Sequence, residues 1–495
     1  MEINNAVNPE LKKYVQEYIS TNFDQIAEDL RTLVKVPSYR TDDVTPCCPF
    51  GPGPAAAVEA AAKLYESYGY TVERYPEEGY ALVRAGSGEK TLGFFCHCDT
   101  VPGDTGVWNY AETPYDVTYH GDFLIGRGVK DNKGAAIAVL HSLLALREAG
   151  AEPEHSILVF LGSNEETGMK DAEAFRARHR LPDVSLVPDC DPPLCRGERS
   201  YCCFDLTSEG GFETILNFAG GTAWAVVGDA TVTLPASAQL KAEITAALEG
   251  HTDAVLTENK DGTLSLIATG ATAHPGMPKK SINAAWIASE ILLQCPALGE
   301  NDLALLTQIR DMTCEPFGNY FGVTFHDEDF GDLYLTCCEI SVSDGHVNLL
   351  FRCNYNTAVP VETIQARASA KAAETGWVYR FTDDDKGFVK GIDHPVVNLV
   401  LDIYHTLCAE NGVTKTFRIY TSPSGTYARR LENAYAIGID VPYTKVPADF
   451  PLGHGRVHEA DECLGIPNYK EGILQMAMMM NVLDRELEKL PSAND

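Results

Sequence analysis

Several short apolar runs in the first half of this 495-residue chain end in a histidine or an acidic residue. Segments with helical apolar spacing, such as Lys133–Glu148, alternate with these strand-like runs, and this alternation predicts an α/β layer architecture. In an open α/β sheet the carboxyl ends of the strands meet at one edge, where ligands bind. The residues at these strand ends are His97, Asp99, Glu165, Glu166 and Asp189.

The strand-like run 91–98 places His97 and Asp99 on one face, because side chains alternate along a strand. An imidazole with a neighbouring carboxylate suits a metal ligand and a residue that fixes its ring. A buried histidine at a capped strand end is the alternative. Taken alone, this segment favours the alternative.

Two further segments contain carboxylates with two interpretations each. Asp131 lies in the glycine-flanked segment 126–134, where it could bridge two cations or act as the N-cap of the next helix. Glu165 and Glu166 follow the strand Ser156–Gly162, and adjacent acids repel unless a cation or a shared proton offsets their charge. One can bind a metal while the other accepts a proton from water. A solvated helix N-terminus is the competing interpretation.

Asp189 and Asp191 follow the strand Val184–Val187, and His454 and His458 stand four residues apart near the C-terminus. No HExxH motif is present, so a zincin mechanism is not indicated. Each of these segments could also be a simple turn. Together, however, the histidines and carboxylates suit zinc, cobalt or manganese.

The bulk properties exclude some functions and predict the domain organisation. The net charge of −31 argues against binding to nucleic acid or to an anionic membrane. The length predicts two or more domains. We predict a catalytic α/β domain over 1–199 and 384–495, and an inserted α+β domain over 200–383. In the inserted segment strand-like runs mix with helices, and regular helix–strand alternation resumes after it.

The fifteen cysteines form no CxxC motif and fall in neighbouring pairs or alone. A disulfide framework belongs to short secreted chains, so a cytoplasmic location is expected. The first ten residues are polar, with no apolar stretch typical of a signal peptide, and no run is long enough to span a bilayer.

The order of these motifs resembles the aminoacylase/carboxypeptidase-G/carnosinase superfamily of co-catalytic metallopeptidases, and most of all the PepV-like bacterial dipeptidases. The resemblance extends nearly end to end. The matching segments are LRTLVKVPS (30–38), HCDTVP (97–102), RGVKDNKG (127–134), NEETG (164–168), PDCDPP (188–193), AHPGMPKKSINA (273–284), SGTYAR (424–429) and HEADE (458–462).

The resemblance implies a zinc-exopeptidase-like mixed sheet flanked by helices. It also implies two bound divalent metal ions, for which zinc is the preferred prediction and manganese or cobalt are the alternatives. His97, Asp131 and Asp189 would hold one ion, and Asp131, Glu166 and His458 the other. Asp99 would orient His97, and Glu165 would activate the water that bridges the metals.

The resemblance also implies roles outside the metal ligands. His274 would stabilise the oxyanion, Arg352 would help bind substrate, and Gly425, Thr426 and Tyr427 would form a substrate-carboxylate loop. In PepV-like members an enlarged inserted domain, called the lid, supplies this oxyanion-stabilising histidine from the same chain. A working monomer is therefore expected. Asp189 looks like the choice of aminopeptidases and dipeptidases, which predicts dipeptide or short-peptide substrates with a free amino terminus.

Two departures from the family pattern lie where substrate would bind. Ala225 and Gly228 stand where the lid motif has Asn and Pro, and the loop before Thr426 lacks the usual run of glycines. The alternative hypotheses are an N-acyl-amino-acid deacylase with the same chemistry, and a catalytically weak peptide-binding homologue.

Overall fold

A computed structural model describes residues 7–103, 106–410, 418–442, 444–451 and 453–494 of the chain. The first six residues of the polar N-terminus therefore lie outside the described residues. The chain divides into two compact units. Unit 1 comprises Met1–Arg196, Lys390–Tyr420 and Gly425–Asp495, and unit 2 comprises Gly197–Val389 and Thr421–Ser424.

Unit 1 contains six of the described α-helices and most strands of a mixed sheet. Its helices are α1 (Pro9–Val34), α2 (Pro52–Ser67), α3 (Lys133–Glu148), α4 (Lys170–Arg178), α9 (Pro395–Glu410) and α10 (Ile466–Glu486). Its strands are β1 (Thr71–Tyr75), β2 (Tyr80–Ala85), β3 (Thr91–His97), β4 (Thr118–His120), β5 (Phe123–Ile125), β6 (Ser156–Gly162), β7 (Val184–Val187), β21 (Ala434–Ile437) and β22 (Cys463–Gly465). Strands β8 (Leu194–Glu198) and β20 (Tyr420–Ser422) extend across the unit boundaries.

The main sheet of unit 1 runs in the order β1-β2-β6-β3-β7-β21-β8. The neighbours β6, β3, β7 and β21 are parallel, whereas β1–β2, β2–β6 and β21–β8 are antiparallel. The predicted mixed sheet is therefore confirmed. Because three adjacent parallel strands end at the same edge, the segments that follow β3, β6 and β7 lie next to one another.

Strand β3 is buried on both faces, which explains its nearly continuous apolar sequence. Phe94 and Cys96 belong to the large core that also contains the apolar faces of α1, α3 and α10. Phe95, between them, stacks on Phe160 and meets the edge of Phe175 from α4. Helices thus cover both faces of the sheet and leave its carboxyl edge for polar side chains.

Unit 2 is an α+β unit built on an antiparallel sheet. Its strands are β9 (Ser200–Ser208), β10 (Asn217–Thr222), β11 (Ala225–Pro235), β12 (Ala254–Glu258), β13 (Thr263–Thr269), β14 (His326–Asp327), β15 (Gly331–Asp332), β16 (Tyr334–Ser343), β17 (His346–Tyr355), β18 (Trp377–Asp385) and β19 (Phe388–Val389). The eight-stranded sheet has the order β12-β13-β11-β10-β16-β17-β9-β18. Its helices are α5 (Ala238–Ala247), α6 (Ala284–Leu292), α7 (Glu300–Thr313) and α8 (Val361–Glu374). They share a second core with one face of the sheet.

The boundaries of unit 2 extend beyond the predicted insertion of 200–383 on both sides. The reason is a short antiparallel pairing in which Phe388 stands opposite Glu198 and Val389 opposite Gly197. Three short 3₁₀ helices complete the secondary structure of the described residues, at Pro278–Lys280, Tyr427–Arg430 and Leu487–Lys489.

Element bounds follow the sequence pattern closely where the apolar spacing is regular. The helix Lys133–Glu148 and the strand Ser156–Gly162 have the predicted limits. The helix Ala284–Leu292 begins after Asn283, whose side chain caps the first turn by accepting from the Ala285 amide. The C-terminal helix begins at Ile466, with Pro467 in its first turn.

Within the described ranges, no helix combines the length and the apolar character needed to cross a membrane.

Candidate metal centre

The carboxyl ends of three parallel strands bring the first candidate ligands together. His97 is the last residue of β3 and stands opposite Gly162, the last residue of β6. Glu165 follows β6 by three residues and Asp189 follows β7 by two. Gly162 must be glycine here, because a Cβ atom would lie 2.1 Å from the Tyr427 hydroxyl. The parallel register therefore places residues more than 90 positions apart at one site.

Two groups of side chains have the spacing of metal ligands. The first consists of His97, Asp131 and Asp189, and the second of Asp131, Glu166 and His458. In each group the candidate ligand atoms lie within 4.8 Å of one another. Asp131 belongs to both. Asp191 and His454, the other candidates of the same segments, belong to neither group of described residues.

The two carboxylate oxygens of Asp131 face different histidines. Oδ1 lies 3.1 Å from Nε2 of His97, and Oδ2 lies 3.1 Å from Nε2 of His458. Nε2 of His97 is also 3.6 Å from Asp189 Oδ2, and Nε2 of His458 is 3.1 Å from Glu166 Oε2. Asp131 thus has the geometry of a bridging ligand.

The donor set fits a pair of divalent cations. Two ligand atoms bound to the same tetrahedral zinc at about 2.1 Å lie about 3.4 Å apart, and the distances above run from 3.1 to 3.6 Å. His97 Nε2 and Glu166 Oε1 are buried and make no hydrogen bond among the described residues. Buried polar atoms without partners are uncommon in folded proteins, and a metal ion in each ligand group would account for both.

The crowding of carboxylates shifts the pKa values of the site. Burial lowers the pKa of His97, but the carboxylates of Asp189 and Asp131 outweigh it and raise this pKa well above the usual range. Partial burial lowers the pKa of His458, and Glu166 and Asp131 raise it to about 12. Burial, then repulsion from Asp189, raises the pKa of Glu165. The site therefore has an excess of negative charge that cations would offset.

Glu165 lies beside the ligand groups without belonging to either. Its side chain is 8% exposed, and Oε2 lies 4.0 Å from Nε2 of His97. Its backbone amide donates to Oδ1 of Asp99, and the amide of Glu166 donates to Oδ2 of the same carboxylate. One acidic side chain thus fixes the backbone of both glutamates.

Asp99 contacts His97 through its backbone rather than its carboxylate. Nδ1 of His97 is 3.0 Å from the Asp99 carbonyl oxygen, and 3.5 Å from Oδ1. In the neutral ring that binds a metal, a carbonyl acceptor requires the proton on Nδ1 and leaves the lone pair on Nε2, which faces Asp131 and Asp189.

Two polar residues that the sequence did not single out connect the strand ends. Asn132 is fully buried; its amide donates to the Pro188 carbonyl and to Asp189 Oδ1, and its oxygen accepts from the His97 amide. Asp171 accepts from the amides of Ser163 and Asn164. The position of Asn132 directly after Asp131 is a usable signal, whereas nothing in the sequence around Asp171 distinguishes it from a surface acid.

The predicted substrate loop begins unit 1 again after Ser424. Tyr427 is fully buried, its hydroxyl donates to Asp171 Oδ2 at 2.6 Å, and its ring meets the His97 ring edge-on at 6.3 Å. Thr426 is 8% exposed, and its hydroxyl accepts from the Ala428 amide. Tyr427 therefore links Asp171 to the ring of His97, and the substrate roles of Gly425, Thr426 and Tyr427 stay predictions.

His274 and Arg352 lie in unit 2. Nδ1 of His274 accepts a hydrogen bond from the Gly276 amide at 3.1 Å. The guanidinium of Arg352 lies over the rings of Tyr201, at 4.1 Å, and Trp224, at 5.4 Å. Arg352 is 7% exposed, and its Nε atom has no hydrogen-bond partner among the described residues. Aromatic faces thus hold this cation.

A sheet with buried parallel strands, and a cluster of histidines and carboxylates at its edge, are typical of a metal-dependent enzyme. Comparison with known families identifies which one. The model of peptidase family M20/M25/M40 matches residues 93–481. The chain belongs to this family and is a metallopeptidase.

Individual relatives match over most of their length. A predicted dipeptidase of Staphylococcus aureus (strain bovine RF122 / ET3-1) is 24% identical over 445 residues, which cover 86% of this chain and 91% of that protein. A second predicted dipeptidase, from Staphylococcus aureus strain USA300, has the same sequence identity to this chain and the same coverage.

Solved structures show the same fold at low sequence identity. Human carnosine dipeptidase 1 has a TM-score of 0.56 at 15% identity, covering 96% of this chain and 100% of that one. The dipeptidase Dug1p of Saccharomyces cerevisiae has a TM-score of 0.57 at 13% identity, covering 96% and 98%.

Proposed function

We propose that this chain hydrolyses the peptide bond of dipeptides, or of short peptides with a free amino terminus, at a two-cation centre. The observation on which the proposal mainly rests is Asp131, whose two oxygens face two different histidines in two overlapping ligand groups. Family membership and the dipeptidase relatives support the substrate class.

His97, Asp131 and Asp189 would hold one cation, and Asp131, Glu166 and His458 the other. Zinc fits this mixture of nitrogen and oxygen donors, and manganese or cobalt are the alternatives. When bound, the cations supply Lewis acidity toward the carbonyl of the scissile bond.

Glu165 would act as the general base and then as the general acid. It is the carboxylate of the cluster that neither ligand group uses, and its Oε2 atom lies 4.0 Å from the His97 ligand atom. In the proposed reaction this carboxylate accepts a proton from the attacking water and passes it to the leaving amine. The Asp99 carboxylate keeps Glu165 in place through the backbone amide.

Three further elements would bind the substrate. His274 would donate to the developing oxyanion, and Arg352 would pair with the substrate carboxylate. The loop of Gly425, Thr426 and Tyr427 would contribute a second contact to that carboxylate. These assignments follow the resemblance of their motifs to the family, and each can be tested by substitution.

A panel assay on metal-reconstituted protein tests the proposal. The protein is stripped with a chelator, reloaded with zinc, manganese or cobalt in parallel, and supplied with dipeptides, the same dipeptides acetylated at the amino terminus, and N-acetyl amino acids. We expect free amino acids from the unblocked dipeptides only. Turnover of N-acetyl amino acids without dipeptide cleavage would establish the deacylase alternative instead.

The control for this assay is Glu165→Gln, which keeps the size of the side chain and removes the base. Dipeptide cleavage that persists at the wild-type rate in this variant would contradict the assigned role. Peptide binding without turnover, for every metal and for both proteins, would favour the non-catalytic homologue.

We also propose a monomer that works in a reducing, cytoplasmic compartment. All fifteen cysteines are free thiols, and ten of them are buried. Light scattering after size exclusion would measure the mass in solution, and a stable dimer would overturn the first part of this proposal. Localisation of the full chain in its own cells would test the second.

A further inference from the structure

A single buried carboxylate organises the loop that contains Asp131. Glu462 is fully buried, and both of its oxygens accept hydrogen bonds from that loop. Oε1 accepts from the amides of Lys130, at 3.0 Å, and Asp131, at 3.1 Å. Oε2 accepts from the Gly128 amide at 3.2 Å. The backbone of the bridging candidate is thus held directly by Glu462.

Arg127 completes the arrangement. Its guanidinium is 1% exposed, and Nη1 donates to Glu462 Oε2 at 2.7 Å. Nη2 donates to the Glu459 carbonyl at 3.0 Å, and the guanidinium lies 5.6 Å from the centre of the Trp108 ring. The charge of Glu462 is therefore balanced inside the protein, as a fully buried carboxylate requires.

These contacts join two segments that are remote in the sequence. Glu462 stands four residues after His458, and the Gly126 amide also donates to the Glu462 backbone carbonyl at 3.0 Å. His458 itself has a φ of 67°, a conformation that non-glycine residues adopt rarely and that surrounding contacts must maintain. The two joined segments together determine the distance of 3.1 Å between Asp131 Oδ2 and His458 Nε2.

We propose that the Glu462–Arg127 pair is a positioning device that fixes Asp131 against His458 and so determines the affinity of the second cation group. Glu462 is in neither ligand group, and it acts through the backbone of Asp131 and the segment that begins at His458. The proposal rests on the two-cation centre proposed above. It assigns to this pair a role beyond that of an ordinary buried ion pair.

The substitution Glu462→Gln separates these two roles. The amide keeps the size and one acceptor oxygen, but its NH2 group faces amides that need an acceptor, and the charge of Arg127 is left unbalanced. The groups that fix His97 and Asp189, namely Asn132 and the Asp99 carbonyl, are unchanged. Because Asp131 belongs to both groups whereas His458 belongs only to the second, the first cation group should lose less affinity than the second.

The experiment is a calorimetric titration of chelator-treated protein with zinc, which measures the two binding events without any activity assay. We expect two equivalents in the wild type. In Glu462→Gln we expect the second event to weaken about 10- to 100-fold, the usual cost of losing a residue that supports a ligand, and the first event to weaken clearly less. Two unchanged events, or equal weakening of both, would overturn the proposal.

Asp302→Asn is the matched control. Asp302 is also fully buried, and its carboxylate accepts from the amides of Glu213, at 2.6 Å, and Thr214, at 2.9 Å, within unit 2. We expect this variant to lose thermal stability while both zinc-binding events stay unchanged. A similar loss of zinc affinity here would show that general destabilisation explains the Glu462 result.

Arg127→Lys and Glu462→Asp provide milder variants if Glu462→Gln does not fold by circular dichroism. Each keeps the charge and loses part of the hydrogen-bond geometry, so we expect the same selective weakening with a smaller size; affinities equal to the wild type would overturn the proposal. A wild type that binds fewer than two equivalents would instead contradict the two-cation centre, so the two failures are distinguishable.

Discussion

Unit 1 contains the candidate metal centre, and unit 2 contains the Arg352 cluster, which consists of Arg352, Tyr201 and Trp224. The two regions hold their candidate functional side chains by different means. At the candidate metal centre, directional hydrogen bonds with buried polar side chains hold candidate ligands in place, as Asp99 does for the Glu166 backbone and Asn132 for the Asp189 carboxylate. Arg352 instead lies between the faces of Tyr201 and Trp224, and Trp224 is 69% exposed.

The difference has a physical reason. Metal ligands must match a coordination geometry within a fraction of an ångström, and directional hydrogen bonds provide that precision. A guanidinium that binds a carboxylate tolerates more movement, and a ring face stabilises it without using its N–H donors. Substitutions at the metal centre should therefore lower activity strongly. Substitutions around Arg352 should lower it less, and to an extent that depends on the side chain removed.

The largest effect is expected for Glu165→Gln. Loss of a general base typically lowers the rate about 10²- to 10⁴-fold, and neither ligand group includes Glu165, so zinc content should stay at the wild-type level. Steady-state kinetics on a cleaved dipeptide, with metal analysis of the same sample, would measure both. A variant that loses its zinc would mean that Glu165 belongs to the ligands.

A smaller loss is expected for Arg352→Ala. A charge-assisted hydrogen bond contributes about 1.5–3 kcal/mol, which corresponds to a fall in kcat/KM of about 10- to 100-fold. The fall should be seen with a dipeptide acid and be nearly absent with the same dipeptide as its C-terminal amide. Equal losses on both substrates would place Arg352 outside carboxylate recognition.

Asp171 predicts a pH effect on stability beneath the metal centre. Burial, followed by repulsion from Asp99, raises the pKa of Asp171 to about 7. Because the folded state binds the proton more tightly than the unfolded chain, this contribution is complete below about pH 4 and is lost as the pH rises through 7. Thermal unfolding of metal-free protein should thus show a steeper loss of stability between pH 5 and 8 in the wild type than in Asp171→Asn. Parallel curves would contradict this prediction.

The smallest effect is expected for Trp224→Ala. An exposed cation–π contact contributes about 0.5–1 kcal/mol, so KM for a dipeptide acid should rise about two- to fivefold with kcat unchanged. Trp224→Phe keeps a ring face and should recover most of the difference. A fall in kcat without a change in KM would show that the aromatic faces do not act through Arg352.

The sequence singled out His97, Glu166 and Asp189 because each lies at or just after a recognisable strand end, and the structure brings them together with Asp131 and His458. The mixed sheet required only the alternation of strands and helices, and the family resemblance supplied the grouping around Asp131. The supporting residues were harder to find. Asp171 and Glu462 lie at a helix start and in a loop, and a single sequence does not distinguish them from surface residues. For Asn132 the position directly after Asp131 is the signal that could have been used.

By itself, the sequence determined the α/β class, the order of the motifs and the candidate metal ligands, because these depend on local apolar spacing and on residue type. Only the tertiary structure decided which atoms of those residues meet. In the structure the Asp99 carboxylate accepts hydrogen bonds from the amides of the two glutamates. The Tyr427 hydroxyl donates to Asp171, and Glu462 accepts from the Asp131 amide. Such contacts join residues tens to hundreds of positions apart, and they form only when parallel strands and their loops pack at a common edge.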